Sequence, residues 1–256
     1  MMQSRPRIAA FLIVSIFCFA AGLLSVWLQG GAEHPVPTPS PTATTSRPAA
    51  PGGWAVPSGK ISILVMGVDE IQRAEPQLLA VWFLSFEPPN RELHLLGIPV
   101  DAPLDEKGTP ICDAFSLWEP PDYGASFIAA LASYAPGPIQ GFAVLDEEGF
   151  AALIDYMGGI ELGDEKLDGS SAVGALGLLQ GEPLSALKLQ ARLLEALAAR
   201  APALGRTPEI TPLTALIPDH AYSSPSPYQL ASLGSQLLPL DAEAIDVEIL
   251  TDPRRP

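Results

Sequence analysis

Hydrophobic positions in this chain fall first into one unbroken block and then into short runs punctuated by turn formers. The block runs from Ile8 to Leu28, 21 residues without a charge, after Arg5 and Arg7. At a rise of about 1.5 Å per residue it is long enough to cross a bilayer. The arginines place its N-terminal side, residues 1–7, in the cytoplasm. Small residues at Gly30 and Ala32 leave a cleaved signal peptide as the alternative. Secretory apolar cores run only about 7–15 residues, which favours a retained anchor. Residues 29–59 then turn to Pro, Thr, Ser and Ala, with VPTPSPTATTSRPAAPGG at their centre. Such a stretch stays extended and solvated and serves as a spacer.

From residue 60 to 256 the pattern changes again. ISILVMGVDE, starting at Ile61, and LAVWFLSFEPPNRELHLLGIPVD, ending at Asp101, contain three short apolar runs, the last two joined at Pro88, Pro89 and Asn90. Runs of this length, rich in branched and aromatic residues, predict buried strands. A proline-rich irregular stretch follows to Gly124, then an alanine-rich helix over about Ala125 to Ser133 and a strand over Gly141 to Leu145. Phe150, Leu153, Ile154 and Met157 recur at helical spacing within Glu147 to Met157. Acids occupy the first turn of that helix, where the dipole favours them, and Gly158 and Gly159 end it. A strand over Ile160 to Leu162, a long helix over Leu184 to Arg200, a late helix over Tyr228 to Leu238 and a strand over Ile245 to Leu250 complete the order. Alternating strands and helices predict one α/β domain of three layers, with helices on both faces of a central mixed sheet.

Charge narrows the function classes. Residues 60–256 hold 11 basic against 28 acidic side chains, a net of −17, and such a field repels nucleic acid. Cys112 is the only cysteine outside the apolar block, so no disulfide forms within the domain, and it reads as a small buried hydrophobe. Cys18 lacks the small neighbours of a lipoprotein cleavage site. His34, His94 and His220 form no metal-ligand spacing and no triad with Ser223 or Ser224, and each reads as structural. No P-loop or dinucleotide fingerprint is present.

The apolar run ending in Gly67 and Asp69, the two runs that follow, and Ile98-Pro99-Val100-Asp101 resemble the opening of the LytR-CpsA-Psr (LCP) family of bacterial envelope proteins. That family opens on a strand ending Gly-x-Asp and reaches Ile-Pro-Arg-Asp after two more strands. The segment with Asp146, Glu148, Gly149 and Phe150, the pair Gly158-Gly159, and the closing SPYQLASLGSQLLPLDAEAIDVEIL are also similar to it, so the resemblance spans Lys60 to Thr251. Membrane helix, spacer and domain come in the family's order. The resemblance implies a single-pass protein of the cell membrane with its C-terminal domain outside the cytoplasm, working in cell-wall glycopolymer assembly. Family members resemble phosphotransferases that move a glycopolymer from a polyprenyl pyrophosphate carrier, using arginines and a magnesium ion held by aspartates.

On this sequence the match fails at most of those positions. Asp69 stands at the first metal-associated aspartate, but the family's Arg-x-Asp-Thr falls on Gln77, Leu78, Leu79 and Ala80. Val100 replaces the arginine of Ile-Pro-Arg-Asp. In LQGEPLSALKLQARLLEAL, Gln190 matches the family glutamine while Ala186 takes an arginine position. Arginine suits pyrophosphate because its fork donates two bonds and stays charged. Its loss removes most electrostatic stabilisation of the transferring group.

The candidate site is therefore Asp69, with magnesium there only if the protein is active, together with Arg73 and Gln190. Trp82 and Phe83 are candidates to line a polyprenyl pocket. Three readings follow. One is a pseudoenzyme that binds a polyprenyl-linked glycopolymer or pairs with an active LCP relative. Another is a divergent transferase drawing cations from Arg73, Lys107 or Lys188. The last is an extracytoplasmic protein-binding module. A retained apolar tunnel beside Asp69 favours the first, and cations that do not converge count against the second.

Overall fold

Strict alternation in the opening strands decides how the sheet is covered. The computed structural model describes residues 59–87, 90, 92–115, 124–200, 216, 219–224 and 244–251. Strands β1 (Ile61–Val68), β2 (Leu78–Phe86), β3 (Leu93–Ile98), β4 (Ile139–Asp146), β7 (Ala221–Ser224) and β8 (Ile245–Ile249) form a six-stranded sheet in the order β7-β4-β1-β2-β3-β8. β1 runs parallel to β4 and β3 parallel to β8, while β2 is antiparallel to both neighbours and β7 to β4. The sheet is mixed, and β1, β3 and β4 finish at the same edge. Asp69, the Pro99–Asp101 turn and Asp146 meet there.

One face carries Ile61, Ile63, Trp82, Leu84, Leu93 and Leu95, packed under Leu187 and Ala191 of helix α4 (Pro183–Arg200). The other carries Leu64, Met66, Val81, Phe83 and Ile98, packed under Phe127 and Leu131 of helix α1 (Ala125–Leu131) and under Ala102 and Ile111 of the loop after β3. Side chains of successive strand residues point to opposite faces, so Trp82 and Phe83 are separated by the sheet itself. Each fully buried Leu, Ile or Phe contributes about 1.5–3 kcal/mol, and both faces bury several.

Helix α2 (Glu147–Tyr156), strands β5 (Ile160–Leu162) and β6 (Glu165–Leu167), and helix α3 (Gly169–Gly177) build a further cluster with α4 around Ile154, Met157, Ile160, Ala172, Leu193 and Leu197. Neither β6 nor α3 is expected from the sequence. With three glycines in nine residues α3 has weak intrinsic propensity. Its N-cap Asp168 accepts a bond from Ser171 N at 2.8 Å, and Gly169 N donates to Asp155 Oδ1 on α2 at 2.7 Å. A Cβ on Gly169 would sit 2.1 Å from Ala151 O. The glycine that weakens the helix is what lets it close on α2.

β7 is likewise unexpected, since Ala-Tyr-Ser-Ser carries too little apolar character to read as a strand. The other elements lie within a few residues of their expected bounds. The expected helix at 228–238, the apolar block 8–28 and all of the spacer but Gly59 fall outside the described residues. Among the described residues no helix is long and apolar enough to cross a membrane.

Candidate functional site

The site begins with an irregularity in the ladder. Gly67 pairs with Ala80 but Val68 pairs with Leu78, so Leu79 is an extra residue without a partner opposite it, as in a β-bulge. Gln190 of α4 meets it, with Nε2 donating to Leu79 O at 3.1 Å while Oε1 accepts from Trp82 Nε1 at 3.1 Å. One amide thus satisfies the bulge carbonyl and the indole N–H and pins α4 over the sheet. Gly97 completes the fit, because a Cβ there would lie 2.8 Å from both Leu187 and the Trp82 ring.

Beside this clamp the layers part. A cavity of ≈ 180 Å³ opens between the bulged ends of β1 and β2 and helices α2, α3 and α4. Val65, Leu79, Phe150, Leu153, Leu176 and Leu194 give it an apolar wall, and its ionisable lining residues are Asp146 and Glu147. A cavity of about 150 Å³ lined by apolar groups holds a benzene ring, so this one accommodates a short stretch of hydrocarbon. It lies at the carboxyl ends of the parallel strands, where α/β sheets place their ligands.

At this edge of the sheet Asp69 and Asp146 are both held by partners. Asp69 Oδ1 accepts from Glu70 N at 2.8 Å and Gln77 N at 2.7 Å, and Arg73 donates to its Oδ2. Burial works to raise the Asp69 carboxyl, but the Gln77 and Glu70 amides and then Arg73 outweigh it and hold it below the ordinary carboxylate value. Asp146, 3% exposed, caps α2 through Gly149 N at 2.8 Å, accepts from Ile71 N at 3.4 Å, and meets His220 Nδ1 at 3.1 Å. It therefore ties the loop after β1, the start of α2 and the start of β7 into one knot. The hydrogen bond to Asp146 raises the His220 pKa against partial desolvation, with the charges of Asp146, Glu148 and Asp219 adding to the rise.

Glu147 is the exception. It lines the cavity and makes no hydrogen bond or ion pair among the described residues. Burial pushes its pKa up, and the neighbouring charges of Asp69 and Asp146 push it further.

Of the residues expected from the sequence, Trp82 and Gln190 meet on the cavity wall, and Asp69 with Arg73 sits in the loop beyond β1 at the same edge. Phe83 does not join them. It is fully buried on the opposite face, which corrects its placement in a lipid pocket, since adjacent strand residues cannot face one cavity. The cations do not converge either. Arg73 is committed to Asp69, and Lys107 lies in a turn held by Asp105, in the loop that covers the other face. Lys188 is exposed on α4 between the cavity-lining Ala186 and Gln190. Both Asp69 oxygens are engaged by Glu70, Gln77 and Arg73, and among the described residues no group of three His, Cys, Asp or Glu is placed to hold a metal. Of the residues that the resemblance aligns with the family's motif, Leu79, Ala80, Val100 and Ala186 line the cavity and Gln77 does not. Sequence reading missed Glu147, Asp146 and His220 as a group. The Asp-x-x-Gly cap at the end of β4 was the available signal for the first two.

No protein-family model matches the sequence, and no curated protein sequence matches it significantly. Solved structures do. Bacillus subtilis TagV superposes with a TM-score of 0.58 at 18% identity, over 77% of this chain and 86% of that one. TagT bound to LIIa-WTA gives 0.57 at 14% identity, over 75% and 79%. TagV and TagT are LCP enzymes of cell-wall glycopolymers. The chain has the LCP fold. A Bacillus subtilis protein described as the transcriptional regulator yvhJ shares it, at 0.57 and 17% identity over 77% and 84%. At these identities the likeness is one of LCP architecture.

Proposed function

We propose that this is an LCP-like protein of the cell envelope that holds the apolar chain of a lipid-linked glycopolymer without transferring its phosphoryl group. In this reading residues 8–28 anchor it in the membrane, the spacer carries the domain outside the cytoplasm, and the bound polymer is presented to an active LCP relative. The observation that carries the proposal is the cavity under the carboxyl ends of β1 and β4. It is open and apolar, yet two of the residues aligned with the family's arginines, Val100 and Ala186, present only carbon to it, and the third, Gln77, does not line it. Phosphoryl transfer depends on cations fixed around the equatorial oxygens. Here Arg73 is spent on Asp69, and Lys107 and Lys188 lie elsewhere.

The test is binding of geranyl pyrophosphate to the full-length protein, with and without magnesium, beside Asp69→Ala. Binding indifferent to magnesium and to Asp69 supports a lipid-holding role. Binding that requires both would restore an active transferase. Absence of binding would refute the lipid site and leave the protein-recruiting module.

A further inference from the structure

Helices α3 and α4 are joined by a turn whose leucines face water. Leu178 is 88% exposed and Leu184 40%, and these are the two exposed large hydrophobics among the described residues. A single surface leucine needs no explanation, but here both fall at one turn. The turn is held in shape by its own backbone, with Leu178 N donating to Gly174 O at 3.3 Å, Leu179 N to Leu176 O at 2.9 Å and Glu182 N to Leu179 O at 2.8 Å. It stands at the opening of the cavity, because Leu176, Gln180 and Pro183 line that cavity while Gln180 is itself exposed.

We propose that this turn is a membrane-docking edge through which the cavity takes its hydrocarbon chain from the bilayer. The proposal deepens the function proposed above and rests on it for the anchor and for the lipid chain in the cavity. Three observations support it. The exposed leucines are continuous with the apolar wall, so a chain passing from bilayer to cavity is not exposed to water on the way. From Gly169 to Gly181 the sequence holds no charge, although residues 60–256 carry a net of −17, so this tip approaches a bilayer without stripping water from an ion. Glu182, exposed just before α4, keeps the contact shallow, with the leucines below the head groups and the carboxylate among them. The spacer supplies the third observation. Residues 29–58 span roughly 30 Å as a flexible coil and about 100 Å fully extended, which keeps the domain within reach of the bilayer that holds residues 8–28. A tether makes docking intramolecular, so contacts too weak to recruit a free protein suffice.

The test uses the full-length protein in phosphatidylcholine nanodiscs, with Cys18 and Cys112 replaced by Ala. A nitrobenzoxadiazole dye is attached at Leu184→Cys or, as a control, at Ser133→Cys, which is exposed at the opposite edge of the sheet, shortly before β4 begins. Lipids spin-labelled near the head group are expected to quench the dye at 184 and not at 133. Adding Leu178→Gln should weaken docking by about tenfold, the low end of what burying one leucine is worth, and so relieve most of the quenching at 184. Binding of geranyl pyrophosphate delivered from water should be unaffected by Leu178→Gln, since Leu178 does not line the cavity. Quenching at 184 no greater than at 133, or untouched by Leu178→Gln, would overturn the docking edge and leave the leucines to a protein partner; geranyl pyrophosphate still bound would then keep the lipid-holding reading intact. Quenching that Leu178→Gln relieves, in a protein that binds no geranyl pyrophosphate, would uphold the docking edge and refute the lipid site instead.

Discussion

Replacing Asp146 by Ala tests the knot on which the site is built. The carboxylate is 3% exposed and holds three elements at once. Loss of an N-cap costs about 1 kcal/mol, and loss of a hydrogen bond between charged groups about 1.5–3 kcal/mol. The contact to Ile71 N, at 3.4 Å, is long and adds little. The expected destabilisation is therefore about 2–4 kcal/mol, read as a lower urea midpoint with an unchanged slope. His220 supplies a second readout. Its pKa is raised in the fold by Asp146, so the protonated ring favours the native state. That stabilisation is fully present below the unfolded value of about 6.5 and fades as pH rises through the higher folded value. Asp146→Ala should remove most of this decline, and His220→Ala should add little to it. A loss below about 0.5 kcal/mol, or a variant retaining the wild-type pH dependence, would refute the argument.

Other perturbations follow from the same geometry. Glu147→Gln should raise the melting temperature at pH 7, because the raised carboxyl favours its neutral form in the fold and its charge is a cost above the unfolded value; the gain should vanish as pH falls below about 4.5. Gly97→Ala places a Cβ 2.8 Å from Leu187 and Trp82 and should cost about 1–3 kcal/mol by overpacking, with a shift in tryptophan emission. Gln190→Leu strands the Trp82 indole N–H and the Leu79 carbonyl and should cost about 1–3 kcal/mol, measured by urea denaturation. Arg73→Ala removes a pair whose arginine is 52% exposed and should cost no more than about 1 kcal/mol; loss of geranyl pyrophosphate binding in that variant would show the arginine to be a ligand group.

The opening strands were legible because their apolar runs are short, dense and bounded by Pro and Asn, and α4 because Leu187, Leu193 and Leu197 keep helical spacing. α3 was not, since its glycines argue against a helix until α2 is seen pressing on Gly169. β7 was not, because an edge strand needs little apolar character when a neighbour supplies the pairing. For the site, the positions of Asp69, Trp82 and Gln190 were readable, whereas the cavity exists only between layers and leaves no periodicity of its own. Periodicity separates Trp82 from Phe83 onto opposite faces, but it does not say which face parts from its helices. Glu147 and Glu148 look alike in sequence, yet the first lines the cavity while the second is exposed beside His220 at 3.4 Å.

The central proposal is that this LCP-like domain holds a lipid chain in its apolar cavity and does not transfer the phosphoryl group. Its most direct test is a turnover assay, in which the full-length protein with magnesium is given a polyprenyl-pyrophosphate-linked glycan and a peptidoglycan acceptor, and release of polyprenyl phosphate is followed. The account predicts no turnover above the protein-free rate, with the lipid retained by the protein. Turnover abolished by Asp69→Ala would contradict it.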